Sequence, residues 1–217
     1  MSVRSRPAPP AEAQADIPQI ESTITFLEML EPPRVRPAQP LAGPTQALLP
    51  VEQPTVSFYR FLYNSVGTDW LWFERRMLSD AQLRSILRDP ANELWVLYRG
   101  GQPAGYAELD FRRLADLGVV GLSYFGLLPD FIGLKLGPYL LHAALERAWS
   151  KDPRRVTVNT CTLDHPSTLP LYRRMGFQPI GRKTRVFDDP RFTGLIPREN
   201  QARARPASPR AFPALRD

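Results

Sequence analysis

The sequence predicts a single α/β domain, a mixed and mostly antiparallel sheet of about six to seven strands flanked by about four helices. Three observations carry this. Short β-rich segments and amphipathic helical stripes follow one another along the chain. A Gly-Gly turn joins two adjacent strand segments, Glu93–Arg99 and Gln102–Phe111. A nearly continuous apolar run, Val119–Leu128, has the character of a central strand, buried on both faces.

The elements follow in order. Thr23–Leu30 is rich in β-formers and stops at Glu31-Pro32-Pro33, as a strand would. A Pro-rich linker is expected over about 31–54. Ser57–Asn64 places Phe58, Phe61 and Leu62 on one helical stripe with Tyr59 and Tyr63 beside it, and Gly67 closes that helix. Ser79 followed three residues on by Gln82 is an N-terminal capping signal for a helix through Leu87 that ends before Pro90. Gly100-Gly101 tolerates the positive φ of a two-residue hairpin turn.

After the apolar strand, Pro129–Gly137 is a loop feeding a helix over Pro138–Ser150, whose apolar residues recur every three or four positions. Pro138 suits the first turn. Val156–Cys161 reads as a strand. Asp164–Ser167 reads as a turn capping a short helix that Gly176 terminates. Two short strands are expected near Gln178–Ile180 and Lys183–Phe187.

Composition narrows the function. A chain of 217 residues with 43% apolar content supports one sizeable core. The 24 prolines concentrate toward the ends and in the linker, so the folded domain is expected over 20–197, with a disordered arm at 1–19 and a basic tail at 198–217. Cys161 is the single cysteine, so an intrachain disulfide and a cysteine-ligated metal cluster are both excluded, no metal centre is expected, and a reducing cytoplasm is the expected setting. The chain opens without an apolar leader and contains no run near the ~20 apolar residues of a membrane span. About half of the +6 charge lies in the tail. That tail lacks the interleaved aromatics of nucleic-acid binders, and nucleic acid is not the expected partner.

Two motifs, on a loop and on a helix downstream of it, resemble those of the GNAT superfamily of acyl-CoA-dependent transferases. Pro129-Asp130-Phe131-Ile132-Gly133-Leu134-Lys135-Leu136-Gly137 has the register of the family's pyrophosphate loop, and Leu171-Tyr172-Arg173-Arg174-Met175-Gly176-Phe177 matches its Leu-Tyr-x-x-x-Gly-Phe. The resemblance runs from about Thr23 to Phe187 and implies the GNAT fold, with acetyl-CoA as cosubstrate. The physical basis of the loop is general. A helix N-terminus presents unpaired N–H groups and partial positive charge to an anion, and glycine lets the backbone approach it closely. The resemblance assigns Ile132, Gly133, Leu134, Lys135, Leu136 and Gly137 to this loop.

Acetyl transfer to an amine needs a neutral nucleophile, stabilisation of a developing oxyanion and a proton for the departing thiolate. The resemblance gives Tyr172 the role of donor to the CoA sulfur, and gives the oxyanion a main-chain N–H near Leu127, where the family's sheet splays. His165 stands where the family often has an Asn on the CoA arm. Many members place a base carboxylate on the central strands. Val119–Leu128 has none, so Glu108 on the preceding strand is the expected base, with Tyr124 acting through a water as the alternative. Glu108 and Asp110 share a face by period two, so a solvated hairpin side is also open.

The implied function is direct transfer from acetyl-CoA to a primary amine, on a small molecule or a peptide. Tyr59, Tyr63, Trp70 and Trp72 favour an acceptor with apolar surface. A second reading is an inactive acetyl-CoA sensor or scaffold, drawn from Ile132 in place of Arg or Gln, Lys135 in place of glycine, and Pro138, which lacks an N–H. GNAT proteins occur as monomers and as homodimers, and both states remain open.

Overall fold

The computed structural model describes residues 17–34 and 43–198. Most of the expected N-terminal arm and nearly all of the tail lie outside the described residues. Among them no helix is long and apolar enough to cross a membrane.

Among the described residues, seven strands form one sheet: β1 Gln19–Met29, β2 Gln46–Pro50, β3 Asn92–Arg99, β4 Gln102–Asp110, β5 Val119–Leu127, β6 Arg155–Cys161 and β7 Gln178–Asp188. The spatial order is β2-β3-β4-β5-β6-β1-β7. The β5–β6 pair is parallel and the other pairs are antiparallel. The helices are α1 Val56–Gly67, α2 Asp80–Leu87, α3 Leu114–Leu117, α4 Leu136–Trp149 and α5 Thr168–Met175. The expected α/β architecture is present, with β5 at its centre.

Local signals operate where they were expected. Ser79 accepts the Gln82 N–H while the Gln82 side chain accepts that of Ser79, a complete capping box. Gly100 and Gly101 take φ of 57° and 81° at the β3–β4 turn. Gly176, at φ 110°, ends α5.

Three expectations are corrected. The linker over 31–54 contains a strand, because β2 pairs with β3 from Gln46↔Arg99 to Pro50↔Trp95 and covers that edge of the hairpin. The terminal segment is one eleven-residue strand rather than two. Pairing with β1 carries it through Gly181, and the one irregularity of register falls beside this point, between Phe26 and Leu27. In α1 the inward stripe is Tyr59, Leu62, Tyr63 and Val66, while Phe61 is 46% exposed. Tyr59, Leu62, Tyr63 and Val66 hold the i, i+3, i+4 and i+7 positions, so the tyrosines and not the phenylalanines join Leu62 on the buried face.

The two layers bury different chemistry. Against α4, the sheet contributes Leu97, Ala107, Leu109, Val120, Leu122, Val156 and Val158, and α4 contributes Leu140, Leu141, Ala144, Leu145 and Ala148. Each such leucine is worth about 1.5–3 kcal/mol of burial. Against α1 and α2, the sheet presents Leu94, Val96 and Tyr106 to Tyr59, Leu62, Tyr63, Leu83 and Leu87. β1 joins the α4 layer through Leu27 and Met29, and Trp149 on α4 directs its Nε1 to the Met29 sulfur at 3.4 Å.

Candidate active site

The parallel β5–β6 ladder runs from Val119↔Arg155 to Leu122↔Val158 and stops. Both strands continue, β5 to Leu127 and β6 to Cys161, and a cavity of about 490 Å³ opens where they part. Gly126 lets α1 close one wall, since a Cβ there would lie 2.4 Å from a methyl carbon of Val66.

The β5–α4 loop forms one end of this cavity. Pro129–Phe131 makes a 3-10 turn, Gly133 takes φ 88°, and Lys135, the residue before α4, takes φ 58°. Lys135 therefore occupies a left-handed position at a cost of about 1–2 kcal/mol. Glycine would take that geometry without strain. The N–H groups of Leu136 and Gly137 open the first turn of α4 without intrahelical acceptors. With the Lys135 side chain they could hold an anion; Pro138 contributes no N–H. Ile132, Gly133, Lys135, Gly137 and Pro138 line the cavity. Leu134 and Leu136 do not: Leu134 is exposed, and Leu136 is sealed in the core. Its contribution to the loop is confined to its main chain.

At the splay, Leu128 donates its N–H to the Ala104 carbonyl at 2.9 Å, across the Gly105↔Leu127 pair. This is the pattern of a non-hydrogen-bonded antiparallel pair, so the Leu127 N–H points away from β4 and toward the gap. Tyr172 on α5 lines the same cavity, its ring held by Phe125 and Phe177 at 6.2 and 5.6 Å between centroids. Burial first, and the charge of Asp164 second, raise its phenol well above the ordinary value. It stays protonated at neutral pH and is available as a donor.

Glu108 and Tyr124 face each other across β4 and β5. Tyr124 lines the cavity, and burial pushes its hydroxyl up to about 12. Glu108 does not line it. Its side chain is fully buried, accepting from Tyr59 Oη at 2.5 Å and from Arg75 at 2.6 Å. Burial raises its carboxyl despite the opposing pull of Arg75 and Tyr59. The expected base is therefore sealed behind the α1 layer, and the solvated-face alternative fails for Glu108 as well. The cause is tertiary: Arg75, outside the strands, folds over β4, and its guanidinium carbon sits 5.2 Å from the Tyr124 ring centroid.

The β6–α5 turn is tied to the segment after α1. Asp164 accepts from Thr160 Oγ1 at 2.7 Å, the Cys161 N–H at 2.8 Å and Trp72 Nε1 at 3.3 Å. His165 meets Trp70 edge to face at 5.1 Å. His165 Nδ1 accepts the Ser167 N–H at 3.1 Å, which puts the proton of a neutral ring on Nε2 and makes that nitrogen a donor. Both Asp164 and His165 line the cavity. Cys161 also lines it, with burial, and Asp164 after it, raising the thiol. It is no ready nucleophile.

Sequence reasoning missed Glu74 and Arg185, both of which line the cavity. They pair at 2.9 Å across 111 residues. Glu74 stands in a 3-10 turn, Glu74–Met77, that carries no periodic signal, and Arg185 lies on β7, whose place beside β1 is set only by tertiary pairing.

Comparison with known proteins agrees with this geometry. Residues 59–177, more than half of the chain, match the model of the acetyltransferase (GNAT) family. The putative [ribosomal protein bS18]-alanine N-acetyltransferase of Bacillus subtilis (strain 168) is 26% identical over 110 residues, 51% of this chain and 70% of that protein. A functionally unknown conserved protein from Staphylococcus epidermidis ATCC 12228 superposes with a TM-score of 0.53 at 15% identity, covering 79% of this chain and 63% of its own. A GCN5-related N-acetyltransferase from Sphaerobacter thermophilus gives 0.53 at 17%, covering 77% and 51%. The chain thus spans between half and two thirds of the length of these two structures, and at such identities the likeness is one of fold. With the family model covering the loop, the splay and Tyr172, the chain belongs to the acetyltransferase (GNAT) family.

Proposed function

We propose that this domain moves the acetyl group of acetyl-CoA directly to a primary amine. The observation that carries the reading is convergence: Leu127, whose N–H points away from β4, Tyr172 and the first turn of α4 line one cavity. Acetyl-CoA, when bound, supplies a thioester carbonyl open to attack by an amine. The Leu127 N–H is placed to hold the charge that builds on the carbonyl oxygen. Tyr172, kept protonated by burial, is placed to donate to the departing sulfur. Lys135 and the N–H groups of Leu136 and Gly137 hold the pyrophosphate, with Ile132 and Gly133 along its path and the His165 Nε2–H on the arm. Overall a C–N bond forms and a C–S bond breaks, the thiol takes one proton, and the ammonium releases one to solvent.

Tyr124 orients the acceptor side of the cavity. Glu108 acts through Arg75 and is a positioning residue. The Bacillus relative is described as acting on an alanine amine of a ribosomal protein, which accords with a primary-amine acceptor. A reducing cytoplasm accords with the unpaired Cys161.

The test combines binding and turnover. Acetyl-CoA at a hundredfold excess over Kd is expected to stabilise the domain by about 2.7 kcal/mol and raise Tm by about 5–10 °C, with NAD as the inert control. Tyr172→Phe is expected to keep that shift while losing about 10²- to 10⁴-fold in kcat. Absence of the shift would remove the pyrophosphate site, and a shift without turnover of any amine would leave a binding domain only.

A further inference from the structure

Cavity-lining carboxylates are scarce. Asp164 spends its oxygens on Thr160, Cys161 and Trp72. Glu74 keeps spare capacity: one oxygen takes Arg185 at 2.9 Å, and the other takes only a long 3.5 Å contact from the Tyr63 hydroxyl. A carboxylate offers about four acceptor positions. At 43% side-chain exposure, Glu74 is also open to an incoming group.

Arg185 brings the complementary charge to the same place. Its guanidinium is 4.9 Å from the Phe187 ring centroid and 5.6 Å from that of Phe73, which fix its plane. Its Nε is buried and has no hydrogen-bond partner. The outer N–H groups of this guanidinium, on the cavity wall and at 33% side-chain exposure, are suited to the carboxylate of an incoming molecule.

Resting on the acetyltransfer reading above, we propose that the acceptor is a free α-amino acid. Its ammonium sits on Glu74 and its carboxylate sits on Arg185. The pair seen in the structure is the resting arrangement, in which each partner satisfies the other until both halves of a zwitterion replace them. Trp70 and Trp72, on the same wall, favour an apolar side chain.

The experiment follows thiol release from acetyl-CoA with the twenty L-amino acids, the corresponding amino acid amides, and an amidated tripeptide beginning with alanine. The preferred amino acid is expected to exceed its amide by about 10- to 100-fold in kcat/KM, the effect of one charged hydrogen bond. Arg185→Gln is expected to erase that ratio, and Glu74→Gln to raise KM for amino acid and amide alike. The ratio in the unaltered protein decides the matter even if a variant fails to fold. Amides or the tripeptide acetylated as well as free amino acids would overturn the proposal and leave acetyl transfer standing. No turnover with any amine would instead sink the transferase reading, and this inference with it.

Discussion

The sealed α1 face of the sheet and the open cleft beside β5 use the same residue types to opposite ends. On the sealed face, Glu108, Arg75 and Tyr106 sit beneath α1 and its Tyr59, where burial obliges every charge to find a partner within the protein. In the cleft, Glu74, Arg185, Tyr124 and Tyr172 line open volume and keep hydrogen-bonding capacity for something else. Residue type therefore does not separate a structural carboxylate from a functional one; access to the cavity does. The sealed network still serves the cleft, because Arg75 adjoins Glu74 in sequence and packs on the Tyr124 ring.

The largest expected effect tests the sealed side. Glu108→Ala leaves the Arg75 guanidinium buried without its carboxylate, and urea unfolding is expected to show a loss of about 3–5 kcal/mol. A loss below about 1 kcal/mol would mean that water reaches Arg75 and that the two regions are not distinct. A smaller effect of opposite sign is expected at Tyr106, whose buried hydroxyl has no partner. Tyr106→Phe removes an unsatisfied group and is expected to stabilise the domain by about 1 kcal/mol, read as a higher urea midpoint at unchanged m-value.

The smallest effect sharpens the comparison through pH. Glu93 is half-buried, and although burial opposes it, bonds from Arg147 and Trp95 hold its carboxyl below the ordinary 4.5. The stability it adds is present above pH 4.5 and lost as pH falls through its folded value. Glu108, raised by burial, has the reverse sign: its contribution is present below 4.5 and is lost as pH rises through its folded value. Glu93→Gln is accordingly expected to flatten the acid-side decline of the urea midpoint by a few tenths of a kcal/mol, in keeping with a partly exposed pair. An unchanged slope would place the acid sensitivity elsewhere.

Much of the scaffold was legible from local signals. The Ser79–Gln82 cap, the Gly100-Gly101 turn and the apolar stripe of α4 each act within a few residues, so their neighbours in sequence are their neighbours in space. β2 was not legible because prolines surround it and only pairing with β3 makes it a strand. The stripe of α1 was not legible because tyrosine reads as a flanking residue, whereas the Tyr59 ring packs against that of Tyr63 and against that of Tyr106 on β4.

The site divides along the same line. The loop into α4 and the residues Leu171–Phe177 are contiguous, so their register could be read without a structure, and the positive φ of Lys135 falls where a related loop carries glycine. Leu134, Leu136 and Glu108 were placed at the site by register and strand adjacency, yet depth decides whether such a side chain meets the cavity, and depth is set by what packs above it.

By itself the sequence determined the α/β class, the loop that leads into α4, and the short helix that carries Tyr172. Tertiary structure alone decided that β1 lies between β6 and β7, that the β5–β6 ladder ends at Leu122, and that Glu74 meets Arg185 across 111 residues. The physical reason is range: capping, turn chemistry and helical periodicity act over one or two turns of chain, whereas strand order, splay and burial arise only when distant segments compete for the same space.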